Sequence, residues 1–348
     1  MLSWLHTLFG DAFGPLRLFD SFFFLAGVGF ATCALATWIA LPRLWGLLPV
    51  DRGRAFAVQA EQSVGKPVGA GVIFVGVFLL ASVVFIPWSA QCLRTLPMML
   101  AALVVGYFDD RRGGFSEYQL AVFDLFIALA AAAVICGFGP TTIWLPGWKG
   151  LVTLGPWLSI PLATGLIWLS INATNCSDGV DGVSGSLTAT AIIILGGLLY
   201  TVIGNEVVAQ HLAIPVNREG ANWAIMAFLM VGCVAAYLWY NAPPSVVLMG
   251  DSGSRPLGLL IGMLVVATNN PLFLLLVGSV IVANGATGLA KVALLRFFRI
   301  KVFAQVRFPL HDHCRKVLGW SNSQVLVRFM LLHLGLSALL IVLALKVR

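Results

Sequence analysis

Long apolar runs recur along the whole chain, and short polar segments separate them. A membrane-spanning helix needs roughly 20 mostly apolar residues in a row. Runs of this length favour helices over the alternating ten-residue strands of an outer-membrane barrel. The pattern predicts ten spanning helices with approximate cores at 21–41, 69–88, 93–107, 117–138, 155–172, 184–204, 221–240, 255–269, 271–295 and 324–345.

The composition also indicates a membrane protein. Of the 348 residues, 59% are apolar and 10% are charged, whereas a soluble domain carries about 25% charged residues. A water-soluble protein of this size could not bury so much apolar surface. The predicted fold class is therefore an all-α polytopic membrane protein, in which residues 1–348 form a single integral-membrane domain.

The basic residues predict the orientation in the membrane. Of the 21 lysine and arginine residues, 15 lie in or beside the loops that join odd-numbered to even-numbered helices, at 42–68, 108–116, 173–183, 241–254 and 296–323. By the positive-inside rule these loops face the cytoplasm, and both termini face the opposite side of the membrane. The net charge of +7 follows from this asymmetry, so no nucleic-acid partner is expected.

Carboxylates are concentrated in the same loops. Eight of the 14 acidic residues lie there, namely Asp51, Glu61, Asp109, Asp110, Asp178, Asp181, Asp251 and Asp312. The positive-inside rule explains basic residues in cytoplasmic loops but gives no reason for acidic ones. We therefore predict an active site that several cytoplasmic loops build together.

The first candidate motif is GYFDDRRGG at 106–114. The adjacent carboxylates of Asp109 and Asp110 can hold a hard divalent cation or share one proton. The motif alone is also consistent with a helix-end charge pair that Arg111 and Arg112 neutralise.

The second candidate motif is NATNCSDGVDGVSG at 172–185. Asparagine side chains such as Asn172 and Asn175 offer donors and acceptors that suit a ribose or a uracil edge. The glycines allow the backbone to approach a ligand closely. Asp178 and Asp181 make the segment more acidic than a connecting turn requires, which favours a binding function.

The third candidate motif is YNAPPSVVLMGDSGSRPLG at 240–258. Asp251 stands between glycines at a predicted helix start, where backbone N–H groups favour anion binding. Its carboxylate suits the metal ion that a phosphate carries. Ser254 or Asp251 is also expected to act as the N-cap of that helix.

The fourth candidate motif is RFPLHDHCRKVLGWSNSQVLVRF at 307–329. It places a cationic cluster in one loop, made by Arg307, His311, His313, Arg315 and Lys316. Cationic side chains of this kind hold diphosphates. A zinc site is the weaker interpretation, because Cys314 is too close in sequence to complete a tetrahedral ligand set.

These four motifs, in this order, resemble those of the polyprenyl-phosphate N-acetylhexosamine-1-phosphate transferases over roughly residues 60–345. The chain is most similar to the branch that transfers phospho-N-acetylmuramoyl-pentapeptide. WYNAPPSVVLMGDSGS resembles that branch's YN…P…VFMGDTGS, and LGWSNSQVLVRF resembles its GWSETQVVVRF.

The resemblance implies a Mg²⁺-dependent enzyme of the bacterial inner membrane, with both termini in the periplasm. Its substrates would be a UDP-N-acetyl sugar and polyprenyl (undecaprenyl) phosphate in the membrane lipid, its products lipid I and UMP, and a homodimer is compatible with it. The implied catalytic residues are Asp109, Asp110, Asp251 and His311, with Asp251 and Asp110 as metal ligands. The implied substrate-binding residues are Lys66, Asn172, Asn175, Asp178, Asp181, Asn241, His313 and Arg307.

Three departures from the branch pattern keep other substrates open. Asp312 replaces the middle residue of its HHH, Lys66 stands three positions later than the family lysine, and Leu248 replaces an aromatic residue associated with uracil. The alternative within the superfamily is a UDP-GlcNAc or related hexosamine phosphate transferase for O-antigen or teichoic acid.

A secondary transporter is the distant alternative, because transporters place ionisable groups near mid-membrane. The only acid well inside a predicted span is Asp124, which we interpret as a polar contact inside the helix bundle.

Overall fold

The computed structural model describes residues 2, 14–51, 53, 63–112 and 114–347. Its helices are α1 (Phe22–Leu44), α2 (Gly71–Phe85), α3 (Leu96–Arg112), α4 (Glu117–Cys136), α5 (Pro156–Cys176), α6 (Val183–Leu198), α7 (Glu206–His211), α8 (Gly220–Asn241), α9 (Asp251–Ala267), α10 (Phe273–Val277), α11 (Ser279–Ile281), α12 (Thr287–Phe298), α13 (Leu310–Lys316) and α14 (Asn322–Lys346). Short 3₁₀ segments lie at Gly14–Asp20, Trp45–Leu47 and Cys92–Thr95, and π-helical segments at Leu199–Ile203 and Val282–Ala286.

Each of the ten predicted spans contains helix. Eight helical segments among the described residues are long and apolar enough to cross a membrane, at Phe22–Leu47, Cys92–Arg111, Glu117–Cys136, Pro156–Cys176, Val183–Ile203, Gly220–Asn241, Ser279–Phe298 and Asn322–Lys346. The remaining two predicted spans correspond to α2 and α9, which have only 15 and 17 residues. The protein therefore has the helical architecture of a polytopic membrane protein, and the number of ten crossings stays a prediction.

Within the described part of the chain, the structure departs from the all-α expectation in one place. Strands β1 (Thr141–Trp144) and β2 (Leu151–Leu154) form an antiparallel hairpin between α4 and α5. Their β-branched residues favour a strand, and a Pro-Gly pair between them favours a turn. The Trp144 indole N–H donates to the carbonyl of Thr268, just after the last residue of α9, at 3.2 Å. The hairpin thus closes the bundle end opposite the start of α9.

Helix α9 is the centre of the bundle. Its residues from Asp251 to Val265 are all buried, and it packs against α2, α3, α4, α5, α6 and α8. In contrast, α4 and α14 expose large apolar side chains such as Phe126 and Leu331, as expected of helices that face lipid. A short helix can thus be central because other helices, and not lipid, surround it.

Parts of five loops meet at the end of the bundle where α9 begins. Lys66 contacts Ser245, Asp110 contacts the N-terminus of α9, and the side chain of Asn241 contacts Gly182. A side chain at Gly179 would collide with the ring of His311, so these two loops also touch. The assignment of this end to the cytoplasm, and of both termini to the periplasm, stays a prediction, and Glu61 and residues 3–13 lie outside the described part of the chain.

Candidate active site

Asp110 fixes the start of α9 from the last turn of α3. Its Oδ1 accepts the backbone N–H of Asp251 at 2.9 Å, and its Oδ2 accepts that of Ser252 at 3.1 Å. These are N–H groups that the helix itself leaves unsatisfied. The expectation that Ser254 or Asp251 caps this helix was wrong, since the N-cap position is Gly250 and no side chain of its own segment caps it.

Two glycines allow α3 and α9 to approach so closely. A Cβ atom at Gly250 would lie 2.5 Å from Oδ2 of Asp110, and one at Gly106 would collide with the backbone carbonyl of Asp251. Gly250 also has φ of +71°, a backbone conformation that residues with a side chain rarely adopt. The contact between the GYFDDRRGG and GDSGS motifs therefore requires glycine on both sides.

Asp109 and Asp251 bring two carboxyl groups together beside this contact. Oδ1 of Asp109 accepts the backbone N–H of Phe115 at 2.6 Å, and the Asp109 carboxyl lies near that of Asp251 on the wall of one cavity. Two carboxyl groups this close are stable only when a cation or a shared proton reduces their repulsion. The pair therefore favours positive charge beside it, part of which Arg255 supplies.

These aspartates line a cavity of about 850 Å³, which we call the aspartate cavity. Its walls include Asp109, Asp110, Asn175, Asp251 and Arg255. A volume of this order is typical of pockets for substrate-sized ligands. The cavity joins three of the four candidate motifs on one surface.

Arg255 ties Asp251 to an acid inside the bundle. Its Nε and Nη2 donate to Oδ2 of Asp251 at 3.0 and 2.9 Å, and its Nη1 donates to Oδ2 of Asp124 at 2.5 Å. The arginine side chain is only 3% exposed. The interpretation of Asp124 as a polar contact inside the bundle agrees with this geometry, and its partner is a residue of the site.

The second motif covers the last turn of α5, the loop that follows, which we call the second-motif loop, and the start of α6. Asn175 donates from Nδ2 to Oγ of Ser254 at 3.0 Å, which holds the end of α5 against the start of α9. Oδ2 of Asp181 accepts the backbone N–H of Ser245 at 3.1 Å, and Nζ of Lys66 donates to the Ser245 hydroxyl at 3.1 Å. Lys66 and Asp181 thus meet on one residue that the sequence did not single out.

Two predicted substrate-binding residues are engaged in internal contacts. Asn241 is buried, accepts the backbone N–H of Gly182 at 2.8 Å and donates to the Val247 carbonyl at 2.8 Å. Asn172 lies one turn deeper than Asn175 and donates to the Trp168 carbonyl at 2.9 Å. In the structure Asn241 joins two loops of the site, and Asn172 lies inside the bundle.

The histidine motif forms α13, which lies against the second-motif loop. Oδ1 of Asn284 accepts the backbone N–H of His311 at 2.9 Å and lies 3.2 Å from Nδ1 of its ring. Asn284 is fully buried and stands on a π-helical segment, a local distortion that is frequent at functional sites. This contact orients the imidazole and favours the tautomer with hydrogen on Nδ1.

Burial lowers the pKa of His311 to about 3, and the Arg315 charge contributes to the shift. At neutral pH the ring is therefore an uncharged hydrogen-bonding group, although the sequence suggested a cation.

Asp312 lies 3.7 Å from Nε of Arg307 and 3.8 Å from Nη1 of Arg315, so it offsets part of the positive charge of the cluster. Burial raises the pKa of Asp312 above its usual range, against the opposing effect of the arginines. His313 accepts the backbone N–H of Arg307 at Nδ1, at 3.3 Å.

Sequence comparisons match this chain to known proteins. Residues 93–269 match glycosyl transferase family 4. The chain is 43% identical over 338 residues to the phospho-N-acetylmuramoyl-pentapeptide-transferase of Treponema pallidum (strain Nichols), covering 95% of this chain and 92% of that protein, and the protein from a second strain, of Treponema pallidum subsp. pallidum, gives the same values. The protein of that name from Bartonella quintana (strain Toulouse) is 28% identical over 352 residues, covering 94% and 95%.

The chain belongs to the phospho-N-acetylmuramoyl-pentapeptide-transferase (MraY) family. The family predicted from the four motifs is thus confirmed. MraY membership and the eight apolar helices together fit a multi-pass membrane protein.

Seven of the twelve predicted site residues of this MraY family member form two groups. Asp109, Asp110, Asn175 and Asp251 line the aspartate cavity. His311, His313 and Arg307 lie on or beside α13, which touches the loop that carries Asp178 and Asp181 at Gly179. Tertiary packing therefore brings all four motifs into one region.

Sequence reasoning missed Arg255, Asn284 and Ser245. Arg255 had a signal, since a charged residue in one apolar helix and Asp124 in another predict an ion pair inside the bundle. Asn284 and Ser245 had none, because each is a single polar residue whose importance lies in the contacts it makes.

The aspartate cavity fits a magnesium ion by its donor chemistry. Among the described residues no group of three or more His, Cys, Asp or Glu side chains forms a complete metal cage. Mg²⁺ commonly binds one or two carboxylates and completes its shell with waters and substrate phosphates. The adjacent carboxyl groups of Asp109 and Asp251 provide such a partial shell.

Proposed function

We propose that the protein transfers phospho-N-acetylmuramoyl-pentapeptide from its UDP conjugate to undecaprenyl phosphate, giving lipid I and UMP. The observation that carries this proposal is 43% identity to a MraY protein over 95% of the chain. The aspartate cavity supports it, because its carboxylates come from motifs far apart in sequence and meet beside the start of a helix. Membership of the family also supports a location of the protein in the bacterial inner membrane.

The reaction exchanges one phosphorus–oxygen bond for another. An oxygen of the lipid phosphate forms a bond to the β-phosphorus of the UDP sugar, and the bond from that phosphorus to the bridging oxygen breaks. UMP leaves with the bridging oxygen. Such transfers are accelerated mainly by positioning and by neutralising negative charge.

Asp251 and Asp109 would hold Mg²⁺, which supplies charge neutralisation for the departing UMP when bound. Asp109 adjoins the Asp251 carboxyl, whereas both oxygens of Asp110 already accept backbone N–H groups. We assign Asp110 the task of holding α9, and Asp109 the task of the second carboxylate ligand, so that no strong base is needed. Because the second pKa of a phosphate is near 6, most of the lipid arrives ionised at pH 7.

The remaining predicted residues would bind the UDP sugar. Asn175 at the end of α5, and Asp178 and Asp181 in the loop after it, suit the hydroxyl and amide groups of the nucleoside. Lys66, Arg307 and His313 would hold the diphosphate, with His311 as a neutral hydrogen-bonding partner. A homodimer stays a prediction.

The decisive experiment uses the purified full chain in lipid nanodiscs with undecaprenyl phosphate and Mg²⁺. Radiolabelled UDP-N-acetylmuramoyl-pentapeptide and UDP-GlcNAc are offered separately, and UMP and lipid-linked product are quantified. We expect equimolar UMP and lipid product from the muramoyl substrate only. Transfer of GlcNAc phosphate without transfer from the muramoyl substrate would assign the protein to the alternative reaction.

A further inference from the structure

The Asp124–Arg255–Asp251 triad is an ion cluster buried where helices α4 and α9 pack together. Arg255 is 3% exposed and the Asp124 side chain 1%. Charged groups withdrawn from water are costly unless partners and hydrogen bonds compensate them. Such a cluster calls for an explanation beyond packing, because three apolar side chains would fill the same space at lower cost.

The geometry at Asp251 shows what the cluster does to the aspartate cavity. Two nitrogens of Arg255 converge on a single oxygen, Oδ2 of Asp251. That oxygen is therefore held on the side of the bundle interior, and the carboxylate is prevented from rotating. The Asp251 side chain also lines the cavity, next to Asp109.

The net charge of the triad also affects the aspartate cavity. Arg255 alone would neutralise Asp251 and repel a divalent cation. Asp124 contributes a second carboxylate to the same guanidinium, so the triad as a whole keeps one net negative charge. The cavity therefore keeps its attraction for a cation although an arginine contacts its main carboxylate.

We propose that Arg255 and Asp124 are positioning residues that fix both the orientation of Asp251 and the charge it presents to a divalent cation. The inference rests on the proposed role of Asp251 as cation ligand. Arg255 holds the carboxylate, and Asp124 holds Arg255 and offsets its charge.

Mn²⁺ binding tests the proposed effect of charge on cation affinity and does not require the enzyme to turn over. Mn²⁺ prefers the same oxygen ligands as Mg²⁺, and the free ion is quantified by electron paramagnetic resonance in titrations of the purified full chain. Asp124→Asn removes one negative charge and should weaken Mn²⁺ binding about threefold or more, while Arg255→Gln removes the positive charge and should strengthen it by a similar factor. Shifts of both variants within about twofold of the parent, or in the same direction, would overturn the proposal.

Two further variants separate orientation from charge. Arg255→Lys keeps the charge but loses the two-nitrogen grip, so Mn²⁺ affinity should stay near the parent value while kcat falls about tenfold or more. The double variant Asp124→Leu/Arg255→Leu removes one negative and one positive charge, so the net charge is unchanged and only Asp251, which lines the cavity, keeps its charge. It should fold and show the same pattern. Parental kcat in this folded double variant would refute the orientation role.

Ser170→Ala is the matched control. Ser170 on α5 donates to the Gly258 carbonyl of α9 at 2.7 Å, so its loss disturbs the packing of the same helix without altering charge. It should leave Mn²⁺ affinity and kcat near the parent values, and an equal loss there would attribute the effects to packing. If the parent protein transfers the sugar phosphate but the variants show no shifts, only this inference fails. If the parent neither binds Mn²⁺ nor turns over, the proposed function fails with it.

Discussion

Asp110 and Asp251 are joined side chain to backbone, because Oδ1 of Asp110 accepts the Asp251 N–H at 2.9 Å. The Asp110 charge thereby lies at the positive end of the α9 dipole, where a carboxylate is stabilised. Since Asp110 satisfies the first N–H groups of the helix, the Asp251 side chain is not needed as a cap. It lies on the cavity wall instead.

The two adjacent aspartates should therefore differ in what they contribute. Asp110→Asn places an amide NH₂ against one of two backbone N–H groups and should lower the free energy of unfolding by about 1–3 kcal/mol. Asp109→Asn disturbs one such contact, so it should cost less stability but lower kcat about 100-fold. Thermal unfolding in detergent and initial rates measure both effects, and equal losses of stability in the two variants would contradict the assignment.

Removing the Asp251 charge should abolish turnover. Asp251→Asn keeps size and hydrogen bonding but loses the charge for a cation, so we expect a loss of at least about 100-fold in kcat at any practical Mg²⁺ concentration. In the parent protein, EDTA should stop the reaction, and Mg²⁺ or Mn²⁺ but not Zn²⁺ should restore it. Near-normal turnover with normal Mg²⁺ dependence in Asp251→Asn would place the cation on other aspartates.

His311 should make the protein less stable in mild acid. Its pKa is about 3 in the folded chain and 6.5 as a free side chain, so the unfolded chain takes up the proton first as the pH falls. The contribution of the neutral imidazole to the free energy of unfolding is fully present above pH 6.5. It falls as the pH drops below that value, by about 2 kcal/mol at pH 5. In His311→Gln the melting temperature should fall less between pH 7 and pH 5 than in the parent, and parallel pH dependences would count against a buried neutral imidazole.

Asn284 should act on catalysis through His311. His311→Ala should cost about 2–4 kcal/mol in kcat/KM, and Asn284→Ala about 1–2 kcal/mol, since it frees the ring and one N–H. The double variant should lose no more than His311→Ala alone, because the two residues form one unit. Asn284→Asp keeps the accepting oxygen and should recover part of the rate, whereas additive losses in the double variant would show that the residues act separately.

The orientation in the membrane can be tested with single cysteines. Gly114→Cys, Ser177→Cys and Gly319→Cys place thiols in three of the predicted cytoplasmic loops, in a background without the six native cysteines. An impermeant thiol reagent should label none of them in intact cells and the two exposed positions, 114 and 319, in inverted vesicles. Labelling of any of the three from the periplasm would rule out the ten-span topology.

Much of the fold follows from the sequence because the bilayer imposes a length on each apolar run. Helices occur at all ten predicted segments, and the four polar motifs lie at one end of them. The concentration of acidic residues in the polar loops also predicted that Asp109, Asp110 and Asp251 belong to one site. Those residues carry their signal in the sequence itself, as charges and glycines interrupting apolar helices.

The tertiary structure decided which partner each polar group has. The sequence does not reveal that Asp110 caps α9 from another helix, that Arg255 bridges Asp251 and Asp124, or that a buried Asn284 holds a neutral His311. These contacts join residues up to 142 positions apart. Hydrogen bonds and burial depend on distance in space, and packing around α9 sets those distances, whereas a sequence pattern records only which groups are available.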